Sequence, residues 1–174
     1  MVAYKAFEKG LVATHGRGRF QFKEGLNITE AAKCGAFGFH CAEDPLDMFN
    51  YYTHSENTEY RMVKAGGDIH EDLRDSRVSC TEMYIGRELT IREVALHALC
   101  YWRLHPERSR DSFAVDGAFR MCRAKNPVLK GKSGELLVFA KGDTEKITKI
   151  SAFVVDGVKI LPNVKYDMHG NSRG

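Results

Sequence analysis

One stretch of this chain, Thr90–Leu104, has the apolar spacing of a long helix, and the rest reads as short strands joined by turns. That contrast limits the possible folds more than any other feature. Thr90 and Glu93 form a capping box at the helix start. Ile91, Val94, Ala95, Ala98, Leu99, Tyr101 and Trp102 cover a surface wider than one stripe, which predicts a largely buried helix. His105-Pro106 ends it, because the residue before a proline is pushed out of helical backbone. His97 and Cys100 share a face of this helix, and on so apolar an element packing is the expected role.

The strands follow from alternation. Val2–Phe7, Leu11–Thr14 and Arg19–Lys23 predict an antiparallel meander, with Tyr4 and Lys5 breaking the alternation of the first run and Gly16-Arg17-Gly18 forming a turn. Tyr60–Ala65 and Val78–Ile85 predict two more strands, the second with Val78, Cys80, Glu82 and Tyr84 on one face. Past the helix come Phe113–Cys122, Glu135–Lys141, Ile147–Val155 and Val158–Val164, the last two joined by Asp156-Gly157, a hairpin signal. Between the halves of this pattern, Phe37, Phe39 and Cys41 alternate as a strand that turns into a short helix. There Asp44 is placed to cap, Pro45 to open the first turn and Asp47 to follow it. The expected class is α+β: mainly antiparallel sheet with one principal buried helix and one short helix. The 174 residues suit a single domain, with 106–112 as a possible sub-boundary.

Composition narrows the function classes. A formal charge of +3 neither demands a nucleic-acid partner nor suits an acidic DNA mimic. No apolar run reaches the ~18–20 residues of a membrane span, and the N-terminus lacks a signal-peptide core, so the expected place is the cytoplasm. The five cysteines are then thiols or metal ligands. No Walker loop, His-Glu-x-x-His or Gly-x-Ser-x-Gly is present, and no catalytic residue stands out, so the chain reads as a binder rather than an enzyme.

Three sets of candidate residues emerge. Cys34 and Cys41 border a Gly-rich bend, and with Cys80 and either His40 or His70 they make a donor set suited to tetrahedral zinc; the alternative is that these thiols pack as small hydrophobes. Asp68, Glu71, Asp72 and Asp75 form an acidic segment, either a solvated loop or a partner contact. Arg120, Arg123, Lys125, Lys130 and Lys132 form a basic stretch with no acid among them, either an exposed rim or, with neighbours back to Arg103, a phosphate-binding region.

Several short motifs together carry a resemblance. Tyr4-Lys5-Ala6-Phe7, Gly38-Phe39-His40-Cys41 with Asp44-Pro45-Leu46-Asp47, Gly66-Gly67-Asp68-Ile69, Lys125-Asn126-Pro127 and Val155-Asp156-Gly157-Val158 resemble a family of uncharacterised phage and prophage proteins. The resemblance implies a mobile-element context rather than an activity. In that context the expectation is a stoichiometric inhibitor of a host defence nuclease, with Cas9 as the leading target and a structural zinc, acting in the host cytoplasm. The alternatives are a nucleic-acid-binding module using 103–132, a nucleotide-modifying enzyme built around His40 and the tyrosines, and a virion component.

Overall fold

In the computed structural model, which describes residues 1–15, 18–71 and 75–174, the chain is α+β and divides into two units, Met1–Thr90 and Ile91–Gly174. The division falls one element ahead of the charged 106–112 segment, because the long helix belongs with the strands that follow it.

The first unit holds β1 (Val2–Glu8), β2 (Val12–Ala13), β3 (Phe20–Gln21), β4 (Gly25–Ile28), β5 (Phe39–Ala42), β6 (Thr58–Glu71) and β7 (Arg77–Leu89). All pair antiparallel. β1 runs along β6, β6 along β7, β7 beside β5, and β5 returns to β1 through Tyr4 and Ala42. The four strands therefore form a closed circuit. Its interior is filled by Ala3, Phe7, Phe39, Cys41, Val63, Cys80, Met83 and Ile85. Burying such side chains on one face is the main stabilising term of a sheet of this kind.

The expected alternation of the 78–85 strand holds only in part. Val78 and Cys80 are buried, but Glu82 and Tyr84 are exposed, and the buried set switches to Met83 and Ile85. The switch sits at a bulge. The β6–β7 register shifts between Gly66 and Ile69, and the Thr81 hydroxyl accepts the bulged Asp68 N–H at 2.9 Å. Gly67 there has φ +65 and lies against Thr81, so an added Cβ would collide.

The short helix after β5 forms as a 3-10 helix, Pro45–Asn50. Asp44 caps it by accepting the Leu46 N–H at 2.9 Å, and Pro45 opens the first turn. Asp47, buried, accepts both the backbone N–H and the hydroxyl of Ser76. These bonds hold the helix, and the Tyr51-Tyr52 pair that follows it, against the start of β7.

The second unit holds α1 (Ile91–Leu104), β8 (Ser112–Val115), β9 (Phe119–Ala124), β10 (Val128–Leu129), β11 (Leu136–Gly142), β12 (Ile147–Val154), β13 (Lys165–Asp167) and β14 (Ser172–Arg173). The helix buries Val94, Ala95, Ala98, Leu99 and Trp102 against β9, β11 and β12, as its wide apolar surface requires. β9 and β11 pair in parallel; the other strand pairs of this unit are antiparallel. The Asp156-Gly157 hairpin does not form. The Asp156 carboxylate accepts the N–H groups of Val158, Lys159 and Ile160, so 158–164 is looped rather than a strand. An Asp that binds the amides following it competes with a ladder for the same donors. Among the described residues no helix is long and apolar enough to cross a membrane.

Candidate functional site

A cavity of about 660 Å³ opens in the first unit between the β1–β5 region, the β2–β3 segment and the Tyr51-Tyr52 pair. Strand alternation places its most unusual residue. Ala3, Lys5 and Phe7 share one face of β1, and Ala3 and Phe7 are fully buried. Lys5 thus projects inward, where an apolar side chain is the rule. It is half-buried because the cavity gives it access. Its ammonium donates to the His40 carbonyl at 2.7 Å and lies 5.2 Å from the Phe7 ring centre and 5.5 Å from that of Phe22. Burial pushes its pKa down to about 8, against a smaller opposing pull from Cys41 and Cys80.

Aromatic rings line two walls. Phe22 packs 4.9 Å from Phe39 and 4.7 Å from Phe20, centre to centre. Phe22 and Phe39 are buried, whereas Phe20 and Phe37 are 48% and 50% exposed at the rim. Across the opening His15 meets Tyr51 and Tyr52 edge-on, and the Tyr52 hydroxyl accepts the Thr14 N–H. The Arg77 guanidinium lies 5.3 Å from the Tyr51 ring centre, and the Tyr51 hydroxyl donates to Asp75. Lys33 lines the cavity from the exposed bend between Ala32 and Gly38.

That bend is held by His40. Its Nε2 accepts the Gly35 N–H at 3.1 Å, and burial, then the charges of Lys5 and Arg77, push its pKa down, so the imidazole is neutral at pH 7. Gly38 closes the bend at φ +90; a Cβ there would sit 2.5 Å from the Ser79 hydroxyl and 2.8 Å from the Ala32 backbone.

The expected zinc donors are dispersed. Cys41 and Cys80 meet in the core, where the hydrogen bond it gives to Cys80, then burial, push the Cys41 thiol up. The Cys34 thiol lies on the bend and donates to the Arg77 carbonyl. His40 follows the opposite face of β5 from Cys41, and His70 is exposed on β6 beside Ser79. Among the described residues no three His, Cys, Asp or Glu side chains are placed to hold a metal.

The acidic residues Asp68 and Glu71 are exposed, Asp75 accepts Tyr51 and the Arg77 N–H, and Asp72 lies outside the described residues. In the second unit most of the basic stretch is committed. Arg120 pairs with Glu135 and Asp116, Arg123 with Asp111, and Lys132 with Asp116 at 2.7 Å. Lys125 and Lys130 are exposed and make no ion pair among the described residues.

Sequence reading found His40 and the tyrosines but missed Lys5 as a site residue. The signal was present in the alternation of β1, which Lys5 breaks between Ala3 and Phe7. The aromatic rim was not found, because Phe20 and Phe22 read as the ordinary face of a strand.

Residues 1–97 match the family described as Domain of unknown function (DUF7666), and the chain belongs to it. The matched span contains every residue that lines the cavity. No curated protein and no solved structure matches the chain.

Proposed function

We propose that the first unit binds a nucleotide-class ligand, a planar ring carrying an anionic group, in the cavity beside Lys5. The observation that supports this is the interleaving of rings with cations around one concave space: Phe20, Phe37, Tyr51 and Tyr52 with Lys5, Lys33 and Arg77. Rings of this kind stack on a base, and cations meet its phosphate. The volume falls within the ~300–1,000 Å³ of small-molecule sites. Calorimetric titration with a panel of mono- and dinucleotides tests the reading. At least one binds below about 100 μM, and Tyr52→Ala or Phe20→Ala weakens it about tenfold or more. No binding at millimolar concentration overturns it. The same titration followed by chromatography of the ligand separates a binder from an enzyme that modifies the nucleotide.

A second reading rests on the resemblance: one-to-one inhibition of a host nuclease such as Cas9, in the host cytoplasm. The exposed Phe20 and Phe37 give it a surface to act through. A cleavage assay titrated with this protein tests it, and undiminished cleavage at excess protein overturns the Cas9 form.

A further inference from the structure

We propose that the Lys5 ammonium is the anchor for a singly charged anionic group, a phosphodiester or a carboxylate, at the floor of the cavity. This rests on the cavity being a ligand site, and it adds which atom fixes the ligand and what charge that ligand carries. An ammonium has three donors. Lys5 uses one on the His40 carbonyl, and the Phe7 and Phe22 rings offer only their faces. Among the described residues no carboxylate pairs with it, although it lies on the inward face of β1 between two fully buried residues. A charge so placed is normally paired, because desolvation without a partner is costly. The open side of Lys5 is the cavity, so the missing partner enters with the ligand.

The charge of the group follows from what surrounds it. Cys41 from β5 and Cys80 from β7 lie near Lys5, and the hydrogen bond from Cys41 to Cys80 pushes the Cys41 thiol up and the Cys80 thiol down. His40 is neutral. The Met1 amino group is engaged by the Ala65 carbonyl at 2.7 Å. Arg77 lies over the Tyr51 ring, and Lys33 sits in the exposed bend. Of the cations that line the cavity, Lys5 is the one on the inward face of β1, and a single negative charge matches it. A dianionic monoester would carry a second, uncompensated charge into the same space. Affinity then falls as pH rises through about 8, where Lys5 loses its proton.

Adenosine, cyclic AMP and AMP test this with one ring and three charges. Each is titrated into the wild-type protein and into Lys5→Met, which keeps the stem but removes the charge, while the Lys5 side-chain amine is followed by NMR. The expected result is that cyclic AMP binds about tenfold or more tighter than adenosine, and no weaker than AMP. The advantage disappears in Lys5→Met, and the Lys5 titration midpoint rises on binding. Equal affinity in wild type and Lys5→Met, with an unmoved Lys5 signal, overturns the anchor and leaves the nucleotide reading standing. AMP binding tenfold tighter than cyclic AMP overturns the single charge. If no nucleotide binds, the nucleotide reading falls, and benzoate against benzyl alcohol decides the anchor on the same Lys5 signal. Benzoate alone raising the midpoint supports it, and neither doing so overturns it. A cooperative melt of Lys5→Met at or above the wild-type temperature shows that lost binding is not lost folding.

Discussion

Glu135 of the second unit and Lys5 of the first are two charges drawn in from solvent, and they are treated in opposite ways. Glu135, at the entrance to β11, is fully buried. It accepts the Gly117 N–H at 2.9 Å, the Lys132 N–H at 2.8 Å and the Arg120 Nε at 2.8 Å. Burial alone would push its carboxyl pKa up, but Arg120 and the two backbone donors outweigh that and hold it below its usual value. Lys5 has one carbonyl, two ring faces and an open cavity. Glu135 is an internal brace that ties two turns to a strand. Lys5 is a charge left short of partners beside a space large enough for a ligand. The contrast teaches that burial alone does not mark a functional charge. The number of protein partners it has found does.

The largest expected effect is on the braced side. Glu135→Ala leaves two amides without their acceptor and takes from Arg120 the enclosed one of its two carboxylates, which should cost about 2–4 kcal/mol. Amide exchange should show the loss throughout 91–174. A loss below about 1 kcal/mol would mean that the carboxylate is not the brace. The acid dependence has a definite sign. The folded pKa lies below the ordinary 4.5, so the contribution is complete above that pH and is lost as pH falls below it.

Lys5→Met should act in the other direction. The depressed pKa records a charge that folding desolvates without full repayment, so the variant gains on the order of 2–3 kcal/mol at pH 7 while losing the ligand. The unfolded lysine keeps its proton to about 10.5 and the folded one only to about 8. Between those values the unfolded chain holds more protons, so wild-type stability rises with pH. The advantage of Lys5→Met is therefore full below about pH 8 and shrinks toward pH 10.5. Denaturant melts of both proteins at pH 7 and 10 measure it. A variant less stable than wild type at pH 7 would show that Lys5 is braced after all.

How much of this was visible in the sequence depends on the range of the interactions. The α1 helix and the Asp44-Pro45 start are local: caps, a proline and a 3.6-residue period, all written in neighbouring residues. The β6–β7 bulge was not visible, because whether Val78 and Glu82 share a face depends on Gly67 and Thr81 meeting across two strands. The Asp156 loop was misread as a hairpin because the dipeptide favours both outcomes, and the carboxylate bonds to 158–160 decided it. At the site, Lys5 looked like a flaw in a strand. Only the return of β5 onto β1 shows that the flaw faces inward, toward a cavity.

The thiols beside Lys5 extend the comparison on a smaller scale. Cys41→Ser places a hydroxyl in the core under Lys5 and should cost about 1–2 kcal/mol. Cys34→Ser, on the exposed bend, should cost under about 0.5 kcal/mol. A zinc shared by Cys34, Cys41 and Cys80 would instead make the two losses similar, and chelator would reproduce them. Melting with and without chelator, together with elemental analysis of untagged protein, separates the two patterns.

A comparably small effect concerns Arg120, which bonds two carboxylates of contrasting burial. Glu135 is fully enclosed, whereas the Asp116 side chain is 72% exposed and lies 3.3 Å from the same guanidinium. Water screens the outer pair, so Asp116→Asn should cost no more than about 0.5–1 kcal/mol, against several for Glu135→Ala. The substitution also releases the Lys132 ammonium, which Asp116 holds at 2.7 Å. If the 120–132 stretch serves a phosphate backbone, Asp116→Asn should strengthen binding to duplex DNA and steepen its salt dependence by about one phosphate contact. Unchanged DNA binding, with the small stability loss, would mean that these cations serve the fold, and that the charge short of protein partners is the one on β1.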